Sequence, residues 1–343
     1  MNKIQIVNWI CTRKCNLRCE YCRIVKNYKG IPEEYPDMKY YANNEMSTDY
    51  IIESLKKLKL HNPNMFHIWY GGEPTLRSDL KDIINYCNSE NIHYTIITNN
   101  SEHIQPDIEF LLLNTDYITG LTSSVDPIIF SKEERGDIIK KSTEGLKKLV
   151  YYKDIIKDLV AEITVDSNTL KYLYPLVEEL SSHNISSSIT FIDPAKSPYY
   201  DFSDVTDNSL LVNRTKELED VFEKLMNSNF DIHMKNTLLP RLLEIAPSNL
   251  DCELEKDLNN LTVDADGSVR LCLRVKGVET PKLFIKDCIL EDGSLNPNLH
   301  RSMIRDKKNY CRLCNWTCME FSKQTSKNIN EVSNLLHSDK RML

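Results

Sequence analysis

The stretch IQIVNWICTRKCNLRCEYC, residues 4–22, decides how the chain begins to fold. Its first seven residues, IQIVNWI (4–10), are β-branched and apolar, which predicts a buried strand. Ser47 then precedes a segment of helical period over 48–60, and MFHIWY (65–70) predicts the next strand. The chain therefore opens with a β-α-β unit, and a cysteine-rich loop follows its first strand.

The same alternation continues to residue 192. Further strands are predicted at 93–99, 117–125, 158–165 and 185–192, and further helices near 79–90, 106–114, 137–152 and 169–183. Because parallel neighbours need crossover connections, which helices usually supply, this α/β pattern predicts a parallel sheet. Six strands are too few for an eight-stranded barrel, which leaves an open doubly wound sheet or an incomplete barrel. In both folds, functional groups gather at the carboxyl ends of the strands.

The composition is that of an acidic globular protein. Of 343 residues, 41% are hydrophobic and 27% charged, and 43 basic against 50 acidic residues give a net charge of −7. Such a chain lacks the overall basic field that attracts nucleic acid or anionic lipid. It contains neither a signal peptide nor a run near the ~18 apolar residues of a membrane span. We therefore expect a cytoplasmic protein, and we expect neither membrane nor nucleic acid among its partners.

Eleven cysteines, an odd number without a signal peptide, argue against a secreted disulfide framework. Ten of them form two groups, at residues 11–22 and 252–318, which indicates two inorganic centres. Cys15, Cys19 and Cys22 have the spacing C-x3-C-x2-C, which lets three thiolates converge on an iron-sulfur cluster and leaves one iron free. A zinc knuckle is the alternative.

The segment CNLRCEYC, placed after the first strand of a β-α series, resembles the cluster motif of the radical S-adenosylmethionine (SAM) superfamily. The resemblance implies that Cys15, Cys19 and Cys22 hold a [4Fe-4S] cluster whose free iron chelates the amino and carboxylate groups of SAM. It places Tyr21 beside the adenine. It also implies a partial (β/α)6 TIM-like barrel for the core of the protein.

The segment WYGGEPTL, at the end of the second predicted strand, resembles another feature of the superfamily. Gly71, Gly72, Glu73 and Pro74 match its GGE segment, whose backbone and carboxylate hold the SAM amino group in the family. Glycines let the backbone approach a ligand closely, and an acceptor suits an ammonium group. Taken in isolation, the same four residues are typical of a turn.

Two shorter segments follow the third and fourth strands. TNN (98–100) resembles a common TNG, with Asn100 in place of the glycine, so no catalytic role is assigned to it. SSVD (123–126) resembles a ribose-binding Ser-x-Asp, which places Ser124 and Asp126 beside the ribose hydroxyls. For both residues, capping of the next helix or turn is the alternative.

The C-terminal cysteines predict the second centre. Cys252, Gly267 and Cys272 fit C-x(9–15)-G-x4-C, which resembles the opening of the SPASM and twitch extensions, where an auxiliary cluster sits on a small β-hairpin. Together with Cys311 and Cys314, the two cysteines make four ligands for one auxiliary [4Fe-4S] cluster in the twitch arrangement. A zinc ribbon is the alternative for these four cysteines.

Two further cysteines are candidates for chemistry. Cys318 is an alternative cluster ligand, and Cys288 is a packed or functional free thiol. In epimerases that resemble this architecture, a cysteine thiol returns a hydrogen atom to the substrate. Cys288 and Cys318 are therefore the candidate catalytic donors.

The pattern divides the chain into four parts. A radical SAM core spans 1–192, and a linker with helices spans 193–249. A small cysteine-rich α+β extension of twitch or SPASM type spans 250–322, and a C-terminal tail spans 323–343.

The resemblance implies the chemistry of a radical SAM enzyme. A reduced cluster donates one electron to SAM, which breaks to methionine and a 5'-deoxyadenosyl radical that abstracts hydrogen from a substrate C–H bond. The extension favours oxidation, crosslinking or epimerisation of a ribosomally made peptide, with a flavodoxin or ferredoxin-type electron donor. We expect no winged-helix module for a leader peptide, because the chain begins at its first strand, and this weakens the peptide hypothesis.

Two alternatives to a peptide-modifying enzyme remain open. The first is a small-molecule dehydrogenase that acts on an aminocyclitol or sugar alcohol. The second, of another class, is a zinc-stabilised binding scaffold without catalytic activity.

Overall fold

The apolar and β-branched runs of the sequence form strands that pair side by side in one sheet. The computed structural model describes residues 4–17, 19, 22, 44–126, 138–191, 212, 215–233, 235, 260–270, 283–297 and 299. The strands in these residues are β1 (Ile6–Thr12), β2 (Phe66–Gly71), β3 (His93–Thr98), β4 (Ile118–Ser124), β5 (Ile156–Val165), β6 (Ser186–Phe191), β7 (Asn260–Val263) and β8 (Val269–Arg270).

The strands follow the order β6-β5-β4-β3-β2-β1-β7-β8. Every neighbouring pair is parallel except β7 and β8, which form an antiparallel hairpin. Each of the six predicted strands lies within two residues of its observed bounds, so the predicted α/β parallel architecture is confirmed. Among the described strands, β6 is not paired to β1 or β8, and the sheet is therefore open.

Helices connect the parallel strands, as the alternation predicts. They are α1 (Thr48–His61), α2 (Leu80–Ser89), α3 (Gln105–Leu113), α4 (Ile138–Leu149), α5 (Leu173–Ser182), α6 (Lys216–Asn227) and the one-turn α7 (Ile285–Cys288). The helix that the sequence predicts over 169–183 is split, because a 3-10 turn at Leu170–Tyr172 precedes α5. Within the described part of the predicted linker, 193–249, the helix is α6.

Local sequence explains where α1 begins. Ser47 is its N-cap, and the Ser47 hydroxyl accepts a hydrogen bond from the backbone N–H of Tyr50 at 3.2 Å. Ile51, Leu55 and Leu58 repeat at helical spacing and are fully buried against the sheet. Burial of this apolar face holds α1 in place beside β1 and β2.

The two faces of the sheet differ in chemistry. The outer face, which the helices cover, carries a continuous apolar core that includes the stacked indole rings of Trp9 and Trp69, with centroids 5.0 Å apart. On β4 to β6 the inner face is mostly polar, and its partly buried side chains include Thr122, Ser124, Glu162, Ser188 and Thr190. A parallel sheet is normally apolar on both faces, so these polar side chains make the inner face a candidate for the functional side.

The C-terminal hairpin of β7 and β8 differs from the sequence expectation in one respect. The tight turn is confirmed, because Gly267 has φ of +83° and its N–H donates to the carbonyl of Asp264 at 2.8 Å. However, β7 pairs in parallel with β1, so the hairpin continues the main sheet instead of standing apart. The boundaries proposed for the four parts of the chain remain predictions.

The edge of β6 is covered by the segment that follows α6. The backbone N–H of Ser187 donates to the carbonyl of Asp231 at 2.9 Å, and the N–H of His233 donates to the carbonyl of Ser187 at 2.8 Å. These hydrogen bonds pair backbone groups that an edge strand would otherwise leave unpaired. None of the helices in the described part of the chain combines the length and apolarity that a membrane crossing requires.

Candidate functional site

The cysteine loop leaves β1 at the carboxyl edge of the sheet. Cys15, Cys19 and Cys22 are each partly exposed, and none is in a disulfide. The backbone N–H of Cys22 donates to the carbonyl of Cys19 at 3.1 Å, and the N–H of Leu17 donates to Sγ of Cys15 at 3.4 Å. The three predicted ligands therefore lie on one loop, accessible from the solvent side of the sheet edge.

These cysteines fit an iron-sulfur cluster by their donor chemistry. Three thiols on one exposed loop are the ligand set that such a cluster uses, and the Cys15 sulfur accepts N–H groups, as a thiolate ligand does. Within the described ranges, no group of three His, Cys, Asp or Glu side chains is already gathered around one point.

The GGE segment after β2 packs against the base of this loop. The N–H of Gly72 donates to the carbonyl of Thr12 at 2.8 Å, and the N–H of Glu73 donates to the carbonyl of Lys14 at 2.7 Å. A Cβ atom on Gly71, whose φ is +145°, would lie 2.3 Å from the Thr12 oxygen, and one on Gly72 would lie 2.1 Å from the Lys14 oxygen. Close contact with the chain's own backbone therefore requires glycine at both positions. The sequence had suggested a different reason, namely the close approach of the backbone to a ligand.

The Glu73 carboxylate lies at the centre of the site and is fully buried. It accepts hydrogen bonds from the Thr75 N–H at 3.2 Å, the Thr75 hydroxyl at 2.8 Å, the Thr98 hydroxyl at 2.9 Å and the Asn99 N–H at 2.8 Å. Burial raises the pKa of Glu73, and these four donors oppose the rise. Pro74, also buried, begins the 3-10 turn Pro74–Leu76 that Glu73 caps.

Asn99 is a site residue that the sequence did not single out. Its side-chain amide donates to Oδ1 of Asn16 at 2.8 Å and approaches Sγ of Cys15 at 3.8 Å. Asn16 in turn donates to the Ser101 hydroxyl at 2.7 Å. The loop after β3 therefore contacts the cysteine loop directly, and the TNN pattern was the available signal.

Asn100, which stands in place of the glycine of the resembled TNG segment, has a left-handed backbone. Its φ is +44°, in the left-handed region where asparagine is the most tolerated residue after glycine. The side chain is 6% exposed and packs beside Gly145 of α4.

Ser124 and Asp126, the predicted ribose-binding pair, lie where β4 ends. Ser124 is the register partner of Glu162 on β5, on the inner face. Asp126 is 3% exposed, and its Oδ1 accepts the backbone N–H of Thr164 at 2.6 Å. The structure places both residues at the carboxyl edge of the sheet, and Asp126 is also bound to the neighbouring strand.

Glu162 is the second residue that sequence reasoning missed. It lies at the middle of the inner face, between Ser124 on β4 and Ser188 on β6. Burial raises the pKa of Glu162 to about 7, with a further rise from Asp126, and hydrogen bonds from Ser188 and Thr190 oppose it. A charged residue within the apolar strand DLVAEITV was the signal that could have identified it.

Several predicted site residues lie outside the described residues. They are Tyr21, Cys252, Cys272, Cys311, Cys314 and Cys318. Cys288 is described: it is fully buried in α7, its Sγ donates to the carbonyl of Phe284 at 3.3 Å, and burial raises its pKa to about 12. These are the contacts of a packed thiol, and its role as a hydrogen donor stays a prediction.

Comparison with known proteins agrees with this geometry. Residues 9–158 match the model of the radical SAM superfamily. A probable GTP 3',8-cyclase of Methanococcus maripaludis is 28% identical over 145 residues, which cover 40% of this chain and 43% of the relative. The chain thus matches less than half the length of that relative.

Two solved structures share the fold over nearly the whole chain. SuiB of Streptococcus suis, bound to the precursor peptide SuiA, has a TM-score of 0.58 at 15% identity. The match covers 94% of this chain and 74% of the SuiB chain. AnSMEcpe with bound SAM and the Cp18Cys peptide has a TM-score of 0.56 at 18% identity. The match covers 97% of this chain and 99% of the anSMEcpe chain. Residues 9–158, with the cysteine loop at the carboxyl edge of the sheet, therefore form a radical SAM domain.

Proposed function

We propose that this protein is a radical SAM enzyme that modifies a peptide by oxidation, crosslinking or epimerisation. The observation that carries the proposal is the inner face of the sheet, which is polar, partly exposed and continuous with the cysteine loop. A substrate bound there would lie beside the site that we assign to SAM.

In this proposal the ends of the first four strands hold the cluster and SAM. Cys15, Cys19 and Cys22 ligate the cluster, and Ser124 and Asp126 meet the ribose. The Glu73 carboxylate already has four protein donors, so its part is to fix the GGE segment, whose backbone faces the SAM ammonium. When bound, the reduced cluster and SAM supply a carbon-centred radical that removes hydrogen from a substrate C–H bond.

The charge of the inner face supports a peptide over a nucleotide. Strands β4 to β6 place no Lys or Arg on this face, where Asp158 and Glu162 are the acidic residues. A triphosphate brought to these carboxylates would meet like charge, whereas a neutral or cationic peptide would not. The likeness to SuiB and anSMEcpe, both solved with peptides, favours the same substrate class.

A small-molecule substrate is the second candidate. The match to a GTP 3',8-cyclase favours it, and so does the hydroxyl-rich character of the inner face, which suits an aminocyclitol or sugar alcohol. The acidic inner face then argues for a neutral or amine-bearing molecule.

The remaining parts of the proposal rest on the sequence. Cys252, Cys272, Cys311 and Cys314 would hold one auxiliary [4Fe-4S] cluster that accepts an electron from the substrate. A flavodoxin or ferredoxin-type protein would reduce the first cluster, and the enzyme would act in the cytoplasm.

The test is incubation of the reduced enzyme with SAM in deuterated buffer, with one panel of candidate peptides and one of cyclitols. Mass spectrometry of the products then distinguishes the reactions. Loss of two hydrogens from a peptide supports oxidation, and gain of one deuterium at unchanged composition supports epimerisation. Turnover of cyclitols alone supports the second candidate, and an absence of 5'-deoxyadenosine in both panels contradicts the proposal.

A further inference from the structure

A buried ion pair links the C-terminal hairpin to the cysteine loop. Nε of Arg13 donates to Oδ1 of Asp264 at 2.9 Å, and its Nη2 donates to Oδ2 at 2.6 Å. The Arg13 side chain is 8% exposed and that of Asp264 is fully buried. Arg13 precedes Cys15 by two residues, while Asp264 begins the hairpin turn, so the pair joins segments that are 251 residues apart in sequence.

The same turn holds the other end of the cysteine segment. The backbone N–H of Met46 donates to the carbonyl of Ala265 at 2.8 Å. Met46 is buried and lies just before α1, beyond the three cysteines. Residues 264–268, which we name the hairpin turn, therefore contact the chain both before Cys15 and after Cys22.

The geometry of the ion pair fixes orientation as well as distance. A guanidinium that meets a carboxylate through two parallel N–H groups is held in one plane. Asp264 is itself fixed, because its Oδ1 also accepts the N–H of Ala265 at 2.7 Å. Since a buried ion pair gains little over apolar packing, its value here lies in setting a position.

Other contacts at the loop base hold the residues on either side of Arg13. Gly72 and Glu73 bind the backbone of Thr12 and Lys14, and Glu45 accepts the Thr12 hydroxyl at 2.7 Å. These contacts hold the backbone of the loop, and the bonds to Asp264 hold the Arg13 side chain. Asp264 thus contributes directly to the orientation of Arg13.

We propose that Asp264 is a positioning residue for the cluster site, and that the hairpin turn sets the geometry of the cysteine loop through Arg13 and Met46. The inference rests on the proposed function. It makes the C-terminal hairpin a structural part of the first cluster site, independently of any auxiliary cluster. Asp264 itself touches no cysteine among the contacts described and acts through its partners.

The test compares Asp264→Asn with the wild-type holoenzyme, purified anaerobically. The readout is the change that SAM causes in the electron paramagnetic resonance (EPR) spectrum of the dithionite-reduced protein, because only a cluster that binds SAM responds. We expect the variant to retain its iron but to show an altered SAM-dependent spectrum, with a SAM dissociation constant raised roughly tenfold to a hundredfold. Asp264→Glu, which restores the charge, should recover part of the response.

The matched control is Glu291→Gln. Glu291 also joins the C-terminal region to the core, through an ion pair with Lys57 at 2.6 Å, but it is 88% exposed and contacts α1 instead of the cysteine loop. We expect the SAM-dependent spectrum of this variant to match that of the wild type.

A second variant keeps the test decisive if Asp264→Asn does not fold. Arg13→Gln combined with Asp264→Asn replaces the ion pair by a neutral hydrogen-bonded pair and leaves no unpaired buried charge. The double variant should fold and still show the altered spectrum. A folded variant with full iron and a wild-type SAM response would overturn the inference, whereas a wild-type protein that gives no SAM response would overturn the proposed function.

Discussion

The Glu73 carboxylate, at the end of β2, accepts the backbone N–H of Asn99, at the end of β3, at 2.8 Å. This bond makes the GGE segment and the TNN segment one unit, because Asn99 in turn contacts Cys15 and Asn16 of the cysteine loop. The ends of three adjacent strands are therefore fixed to one another around a single buried carboxylate. The site depends on this unit for its shape.

Glu73→Gln tests this unit. The amide nitrogen of the glutamine would face hydrogen-bond donors, so at least one buried donor would lose its acceptor. We expect the free energy of unfolding to fall by about 1–3 kcal/mol, with weaker SAM binding. Urea unfolding and equilibrium dialysis measure the two effects. Glu90→Gln, which removes an exposed ion pair with Lys59, is the control and should change both much less.

Substitutions at Asn100 test its left-handed backbone. Glycine adopts a φ of +44° without strain, whereas alanine does not. We expect Asn100→Ala to be less stable than Asn100→Gly by roughly 1–2 kcal/mol in urea unfolding. Equal stability of the two variants would mean that the backbone conformation imposes no cost at this position.

The pH dependence of stability tests Glu162. Its pKa of about 7 in the folded protein exceeds the ordinary value of 4.5, so the folded state binds the proton more tightly than the unfolded chain does. The contribution of Glu162 to stability is therefore full below about pH 4.5 and is lost as the pH rises through 7. Relative to Glu162→Gln, the wild type should lose up to about 3 kcal/mol between pH 5 and pH 8. A difference between the two proteins that is independent of pH would contradict the assignment.

Iron content and product formation together test the auxiliary cluster. Two [4Fe-4S] clusters give about eight iron atoms per chain, and Cys252→Ala should lower this to about four. We expect this variant to release 5'-deoxyadenosine without forming product. Full product yield from the variant would remove the C-terminal cysteines from the mechanism, and zinc without sulfide in the wild type would favour the scaffold alternative.

Much of the fold could be predicted from local sequence patterns. The runs that form β2 and β3 are short, apolar and bounded by turn residues, and the spacing of Ile51, Leu55 and Leu58 identifies α1 without tertiary information. The loop after each strand could be located in the same way. These features depend on neighbours in sequence, which periodicity detects.

The other features of the site depend on strand register and on contacts between residues far apart in sequence. The role of Glu162 follows from its place between Ser124 and Ser188, and a one-residue shift of β5 would turn it to the apolar face. The ion pair of Arg13 and Asp264 joins residues 251 positions apart, which no local pattern reveals. A Cβ atom on Gly72 would collide with the backbone oxygen of Lys14, a contact between distant residues that the sequence does not reveal.

The most direct test of the account is release of 5'-deoxyadenosine by Cys19→Ala under dithionite, compared with Cys11→Ala. Cys11 lies four residues before the motif, is fully buried and donates its thiol to the carbonyl of Tyr70, so it serves as the matched cysteine control. We predict that Cys19→Ala abolishes the release and that Cys11→Ala retains it. Release by Cys19→Ala at the wild-type rate would contradict a SAM-cleaving cluster at the first cysteine loop.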